Sequence, residues 1–314
     1  FTFSRNKLTT FMSTSNRRQF LADLTMIGAA SMLSQSLFAA KPSSIKIAYS
    51  AITWGGKDLN AMQDIASLGF KGIQLRANAY DNYKTKVQEL KDLLSQHHLS
   101  LAMFSSGNVE VDPARISSNV DYHVAHASFV KALGGDALQL TNSLRKNNQA
   151  PTKDELKALA KVMNQIGEQT ADLGVQTTYH NHMHQWGETP EEVDILMQET
   201  NPKFVKMLLD VAHYHQGGGV PAKAVEQYKD RLFALHIKDV KSPLADKPDP
   251  KAYKFVELGQ GNVDLPAVFK ALEKVKFNRW AVVELDGVPE PNRTPLESAT
   301  ISKAYLNDTL KQKI

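Results

Sequence analysis

The chain has 314 residues, no cysteine and a formal net charge of +4. That length suits a single barrel of alternating strands and helices, which takes about 250 residues, and the missing cysteine excludes disulfides and thiolate-bound metal. Most of the charge sits at the N-terminus, where residues 1–40 hold Arg5, Lys7, Arg17 and Arg18 against Asp23; the rest is near neutral, with no basic block for a nucleic-acid backbone.

Taken in chain order, the first feature is "NRRQFL" (16–21), followed by the weakly apolar "LTMIGAASMLSQSLFAA" (24–40). Paired arginines before such a run resemble a twin-arginine export signal, so residues 1–40 are expected to be an N-terminal extension that meets the export machinery and directs the protein to the periplasm or beyond. Serines and a glutamine interrupt the run, whereas a membrane anchor wants about 20 apolar residues. An ordinary basic amphipathic N-terminus is the competing reading.

From residue 45 short apolar runs alternate with helical ones. The expected strands are "IKIAYSAITW" (45–54), "GIQL" (72–75), "LSLAMFSS" (99–106), "ALQLTN" (137–142), "VQTTYHNH" (175–182), "VKMLLDVAH" (205–213), "LFALHIKDV" (232–240) and "WAVVELD" (280–286). Between them, spacings of three and four predict helices over 59–69, 154–174 and 265–275. Eight such units predict one (β/α)8 TIM barrel over residues 41–314. The long irregular stretch 241–264 is expected to lie over the barrel mouth as a partial lid.

Polar residues gather where the last four strands end: His180 and His182, then Asp210 and His213, then His236, Lys238 and Asp239, then Glu284 and Asp286. Strand ends converging on one mouth are how a barrel builds a site. Two imidazoles and two carboxylates suit Mn, Zn, Fe or Co, with open positions for substrate. His213, three residues past Asp210, is assigned to the turn after its strand, as a substrate or supporting contact. His182 shares a face with His180 and is a candidate substrate contact, and His184 is placed in the loop. Trp54, Arg76, Gln139 and Glu257 are candidate mouth residues that packing or rim positions would explain equally. Lys238 is a candidate catalytic group, with a simple ion-pair role as its alternative. His97, His98, His123 and His126 are read as structural.

The series "YHNH", "LDVAH", "LHIKD", "ELGQGNVD" and "VVELD", in this order, resembles the xylose-isomerase-like TIM-barrel superfamily, which contains sugar isomerases, epimerases, inosose dehydratases and apurinic endonucleases. The resemblance implies one divalent metal ion held by His180, Asp210, His236 and Glu284. It also exposes a departure: many members carry a glutamate where His180 stands, while Asn181 matches the family asparagine. In the epimerases two glutamates act as the paired acid and base, and that pairing is broken here. Strands two to four end in Gln74, Ser105-Ser106 and Asn142, which do not supply the extra histidines of a trinuclear nuclease.

A metal that chelates a carbonyl and its neighbouring hydroxyl acidifies the C–H between them. Glu284 or a nearby histidine would take that proton and Lys238 would stabilise or reprotonate the enediolate. The first expectation is therefore an exported, metal-dependent isomerase or epimerase of a sugar or keto-sugar. The alternatives are a 3-keto-glycoside lyase, hydrolase or dehydratase using the same enolisation, and a non-catalytic sugar-binding barrel. The partners expected are a small carbohydrate and the export machinery, with a second copy of the chain left open; no nucleic acid and no stable membrane anchor are expected.

Overall fold

Eight parallel strands close into a barrel: β1 (Lys46–Ser50), β2 (Gly72–Arg76), β3 (Ser100–Asn108), β4 (Ala137–Thr141), β5 (Gln176–His180), β6 (Val205–Asp210), β7 (Leu232–Ile237) and, after a hairpin, β10 (Trp280–Val283), which pairs back onto β1. This computed structural model describes residues 45–142, 145, 149–247, 249 and 252–314. The expected export signal lies outside the described residues. Among those residues no helix is long and apolar enough to cross a membrane.

The strands are apolar on both faces because each is covered twice. Outward-facing Tyr49, Ile73, Phe104, Leu138, Tyr179, Leu209, Leu235 and Val283 pack under the helices in the main core. Truncating one of these leucines to alanine would cost about 2–5 kcal/mol. Inside, Ala48, Ala102, Met103, Ala137, Leu208, Phe233, Ala234 and Val282 form a separate apolar floor. Strand parity then decides what lies above that floor, since residues two apart share a face. Leu208 and Val282 point inward, so Asp210 and Glu284 do too; Asp210 is level with His236 in the β6–β7 pairing, and Glu284 lies two residues past Val282, the partner of His236 in β10.

The helices are α1 (Asp58–Ser67), α2 (Ala77–Tyr83), α3 (Val87–Gln96), α4 (Ile116–Ala132), α5 (Lys153–Asp172), α6 (Pro190–Glu199), α7 (Val211–Gln216), α8 (Pro221–Gln227), α9 (Leu265–Lys274) and α10 (Pro295–Asp308). α5 and α10 both open on capping boxes, Thr152 with Glu155 and Thr294 with Glu297, in which each side chain satisfies an otherwise orphaned backbone N–H.

Several strands end earlier than the sequence suggests. The first stops at Ser50 and turns through a 3-10 segment, Ala51–Trp54. The fifth stops at His180, where a loop runs to Pro190, and the sixth at Asp210, where the next helix starts at once with Val211. His213 accordingly sits in α7, not in an open turn. The stretch expected to be irregular contains half of an antiparallel hairpin, β8 (Asp239–Lys241) with β9 (Lys254–Val256).

Candidate active site

Asp210 ends β6 and caps α7. Its Oδ1 accepts the backbone N–H groups of Ala212 and His213, both at 2.9 Å, which leaves Oδ2 buried with no hydrogen-bond partner. That oxygen faces His180 Nε2 at 3.6 Å and His236 Nδ1 at 3.5 Å. Glu284 completes the group, with Oε1 3.3 Å from His236 Nδ1. One atom from each of His180, Asp210, His236 and Glu284 falls within a sphere of mutual separations no larger than 4.8 Å. All four residues are buried, and a buried carboxylate oxygen without a partner is costly unless a cation joins it. Two nitrogens and two oxygens, that one included, gathered at one place fit a divalent metal ion.

Gln74 makes the fit specific. Its Oε1 lies 2.9 Å from His236 Nε2, and its Nε2 donates to Glu284 Oε2 at 3.2 Å. The amide oxygen can only accept, so His236 carries its proton on Nε2 and, when neutral, turns a bare Nδ1 toward Asp210 and Glu284. A neighbour that fixes ring orientation in this way is typical of metal-binding histidines. Asn181 does similar work for the backbone, donating to the Asp210 carbonyl at 3.1 Å and accepting its N–H at 2.9 Å.

Without a metal the protein balances this charge with protons. Burial pushes Asp210 up, but His213, Lys238 and the facing rings of His180 and His236 hold it well below the ordinary carboxylate range. Burial likewise raises Glu284 and is outweighed by His236 and Lys238. Burial would lower His236, yet Glu284 and Asp210 raise it to about 9. His180 goes the other way, since burial lowers it to about 4, so it presents a neutral ring. Binding of a cation would therefore displace the His236 proton.

Beside this group lies a second set. Lys238, fully buried, places Nζ 2.6 Å from Asp286 Oδ1, 3.4 Å from Glu284 Oε1 and 3.2 Å from His213 Nε2. Burial alone would lower the ammonium, but Asp286, Glu284 and Asp210 raise it. His213 is held below its ordinary value by burial and is neutral. The ring of His182 lies on that of His213 with centroids 3.8 Å apart; it reaches this position from beyond the end of β5. Above them β9 brings Phe255, whose ring centre is 4.1 Å from Lys238 Nζ. The lid expected over the mouth is thus this hairpin.

The hairpin's root explains two motifs. Asp239 accepts N–H bonds from Val240, Gly259, Gly261 and Val263, folding "ELGQGNVD" around its carboxylate. A Cβ on Gly261 would meet Asp239 Oδ1 at 2.2 Å, so only glycine allows this approach.

Four candidate mouth residues fare differently. Gln139 lies inside the barrel level with Thr178, and its Oε1 has no partner. Arg76 is exposed at the end of β2. Trp54 lies apart from the group because its indole N–H is taken by Asp64 at 2.8 Å and its ring packs on Tyr49 outside the barrel. Glu257 is also apart: Arg293 and Ser298 bind its carboxylate at 2.5 and 2.8 Å, tying the hairpin to α10. Gln74, Tyr253 and Phe255 were not picked out as site residues by the pattern. A glutamine inside the apolar "GIQL" was the available signal for the first; the aromatics gave none, since their role depends on how the loop folds.

Comparison with known proteins agrees with this fold. A family model for the xylose isomerase-like TIM barrel matches residues 62–305. Inosose dehydratases of Geobacillus thermodenitrificans (strain NG80-2) and Clostridium botulinum (strain Alaska E43 / Type E3) are 27% and 24% identical, over 86% and 84% of this chain and 98% and 97% of theirs. Among solved structures, the IOLI protein with a bound zinc atom superposes with a TM-score of 0.70 at 20% identity, covering 84% of this chain and 97% of that one. The probable 3-DHS dehydratase AsbF of Bacillus anthracis gives 0.68 at 16% identity, covering 84% and 100%.

Proposed function

This chain belongs to the xylose isomerase-like TIM barrel family, and from that premise we propose that it is a metal-dependent lyase that removes water from a keto-polyol of the inosose kind. The observation that carries this reading is the asymmetry of the centre. β5 contributes a neutral imidazole, His180, whereas the residue just past β10 contributes a carboxylate, Glu284, with the Lys238 ammonium 3.4 Å away. Epimerisation by two matched bases needs a carboxylate on both sides. Elimination needs one acceptor and one donor.

A divalent ion held by His180, Asp210, His236 and Glu284 would polarise the substrate carbonyl and acidify the adjacent C–H. Glu284, kept deprotonated, accepts that proton. The C–H electron pair passes to the carbon skeleton and forms the double bond as the hydroxyl on the next carbon leaves. Lys238, kept protonated, gives its proton to the departing oxygen, which leaves as water, and the proton held by Glu284 then passes to Lys238, 3.4 Å away, restoring both groups. His213, 3.2 Å from Lys238, orients the ammonium, and Phe255 shields it from solvent. Isomerisation is the second reading, favoured by Lys238 standing beside Glu284, where a proton can return to carbon.

The test is to incubate metal-loaded protein with keto-inositols and ketohexoses in D₂O and follow the products by NMR. An unsaturated product formed with loss of water supports the lyase. Deuterium at the carbon next to the carbonyl, with a new diastereomer and no loss of water, overturns it in favour of an epimerase. No turnover of any substrate overturns both. Export is also proposed, on Arg17 and Arg18; R17K/R18K should abolish recovery of the protein outside the cytoplasm, and unchanged fractionation would refute it.

A further inference from the structure

His184 stands in the β5–α6 loop with φ of +59°, a left-handed conformation that non-glycine residues seldom adopt without reason. It is held there from both sides. Its N–H donates to Glu188 Oε2 at 3.1 Å, and its carbonyl accepts the Arg145 N–H at 3.2 Å. Arg145 in turn binds Glu188 at 2.7 Å and Glu192 through two bonds of 2.7 and 2.9 Å. This charge network is largely buried, so the strained turn is anchored by strong interactions and is not a loosely set loop.

The strain aims one ring at the hairpin. His184 Nε2 lies 3.3 Å from the Tyr253 hydroxyl, 69 residues along the chain. Tyr253 packs edge-on against Phe255 with centroids 5.3 Å apart, and Phe255 covers both Lys238 and His213, the latter at 5.1 Å. A line of contacts therefore runs from the anchored turn to the buried ammonium. We infer that His184 is a positioning residue: through Tyr253 it holds the β8–β9 hairpin closed over Lys238 and His213, keeping that pair dry and fixed. The inference goes beyond the proposed reaction and does not depend on which bond is broken at the mouth.

Two variants separate this from a merely structural role. H184G removes the ring and relieves the left-handed backbone, while Y253F removes the hydroxyl and keeps the ring. Both are loaded with metal and labelled with an amine-acylating reagent, and Lys238 modification is read by peptide mass spectrometry with exposed lysines as an internal reference. Lys238 should label roughly tenfold faster in each variant, and the double variant should label no faster than either, because the two side chains act as one latch. Unchanged Lys238 labelling, or additive effects in the double variant, would each overturn the inference. Because labelling is read without turnover, faster labelling in a protein inactive on every keto-polyol would sink the lyase reading and leave the latch standing.

Discussion

Two clusters of buried histidine occupy this barrel, and they have opposite electrical characters. At the mouth, His180, His213 and His236 share space with Asp210, Glu284 and Lys238. Outside the barrel wall, His123 and His126 on α4 share only the hydroxyl of Ser106, at 2.6 and 2.8 Å through their Nδ1 atoms, while His123 Nε2 reaches the Asn108 carbonyl at 3.2 Å. The second cluster needs no charge: His126 Nδ1–H donates to Ser106, Ser106 donates to His123, and His123 Nε2–H donates to the carbonyl, leaving without a partner His126 Nε2, a neutral nitrogen. Burial lowers both of its rings to about 4. In the first cluster the carboxylates raise His236 to about 9 and Asp210 Oδ2 remains without a partner. Histidine burial alone therefore marks packing. Histidine together with unsatisfied carboxylate marks a place for a cation.

The sharpest way to break this contrast is Asp210→Ala, which should cost about 1,000-fold or more in turnover and leave purified protein without stoichiometric metal by elemental analysis, while His123→Asn keeps its metal. Acid comes next. Because His123 and His126 titrate near 4 when folded and near 6.5 when unfolded, their contribution is complete above pH 6.5 and is lost as pH falls toward 4. The unfolded chain binds the extra protons in that window, so stability drops by an amount on the order of 3 kcal/mol per ring. Denaturant unfolding across this range should show it, and His126→Phe, set among Tyr80, Phe104 and Tyr122, should flatten the slope by one ring's share. A smaller effect is expected for Gln74→Leu, which frees the His236 ring and should weaken metal affinity about 10- to 100-fold with little change in Tm. Ser106→Ala should cost only about 1–3 kcal/mol in stability and nothing in metal content; metal loss there would erase the distinction between the clusters.

Much of this was legible in the sequence because barrel strands repeat a simple pattern. Apolar runs that turn polar at their last residue located Asp210, His236 and Glu284 without coordinates, and parity within "LHIKD" and "VVELD" put Lys238 on the same side. Strand termini were less legible, since His180 and His182 alternate as strand residues would, yet the strand stops at His180 and His182 returns by stacking on His213. Gln74 and Phe255 were hidden for different reasons. Gln74 gains its meaning from partners about 160 and 210 residues away, and Phe255 from a hairpin inside a stretch rich in proline and lysine. Trp54 and Glu257 look like mouth residues in one dimension, but their polar atoms are taken by Asp64 and by Arg293 and Ser298.

At the barrel mouth four buried side chains form one candidate cation site, whose charge is balanced by a proton on His236 when no cation is present. Calorimetric titration of chelator-stripped protein with Mn²⁺ or Zn²⁺ near pH 7.5, in buffers of different ionisation enthalpy, tests it directly. One ion should bind per chain with about one proton released, and that proton release should be lost as the pH is raised above 9. Binding without proton release, or no binding at all, would contradict it.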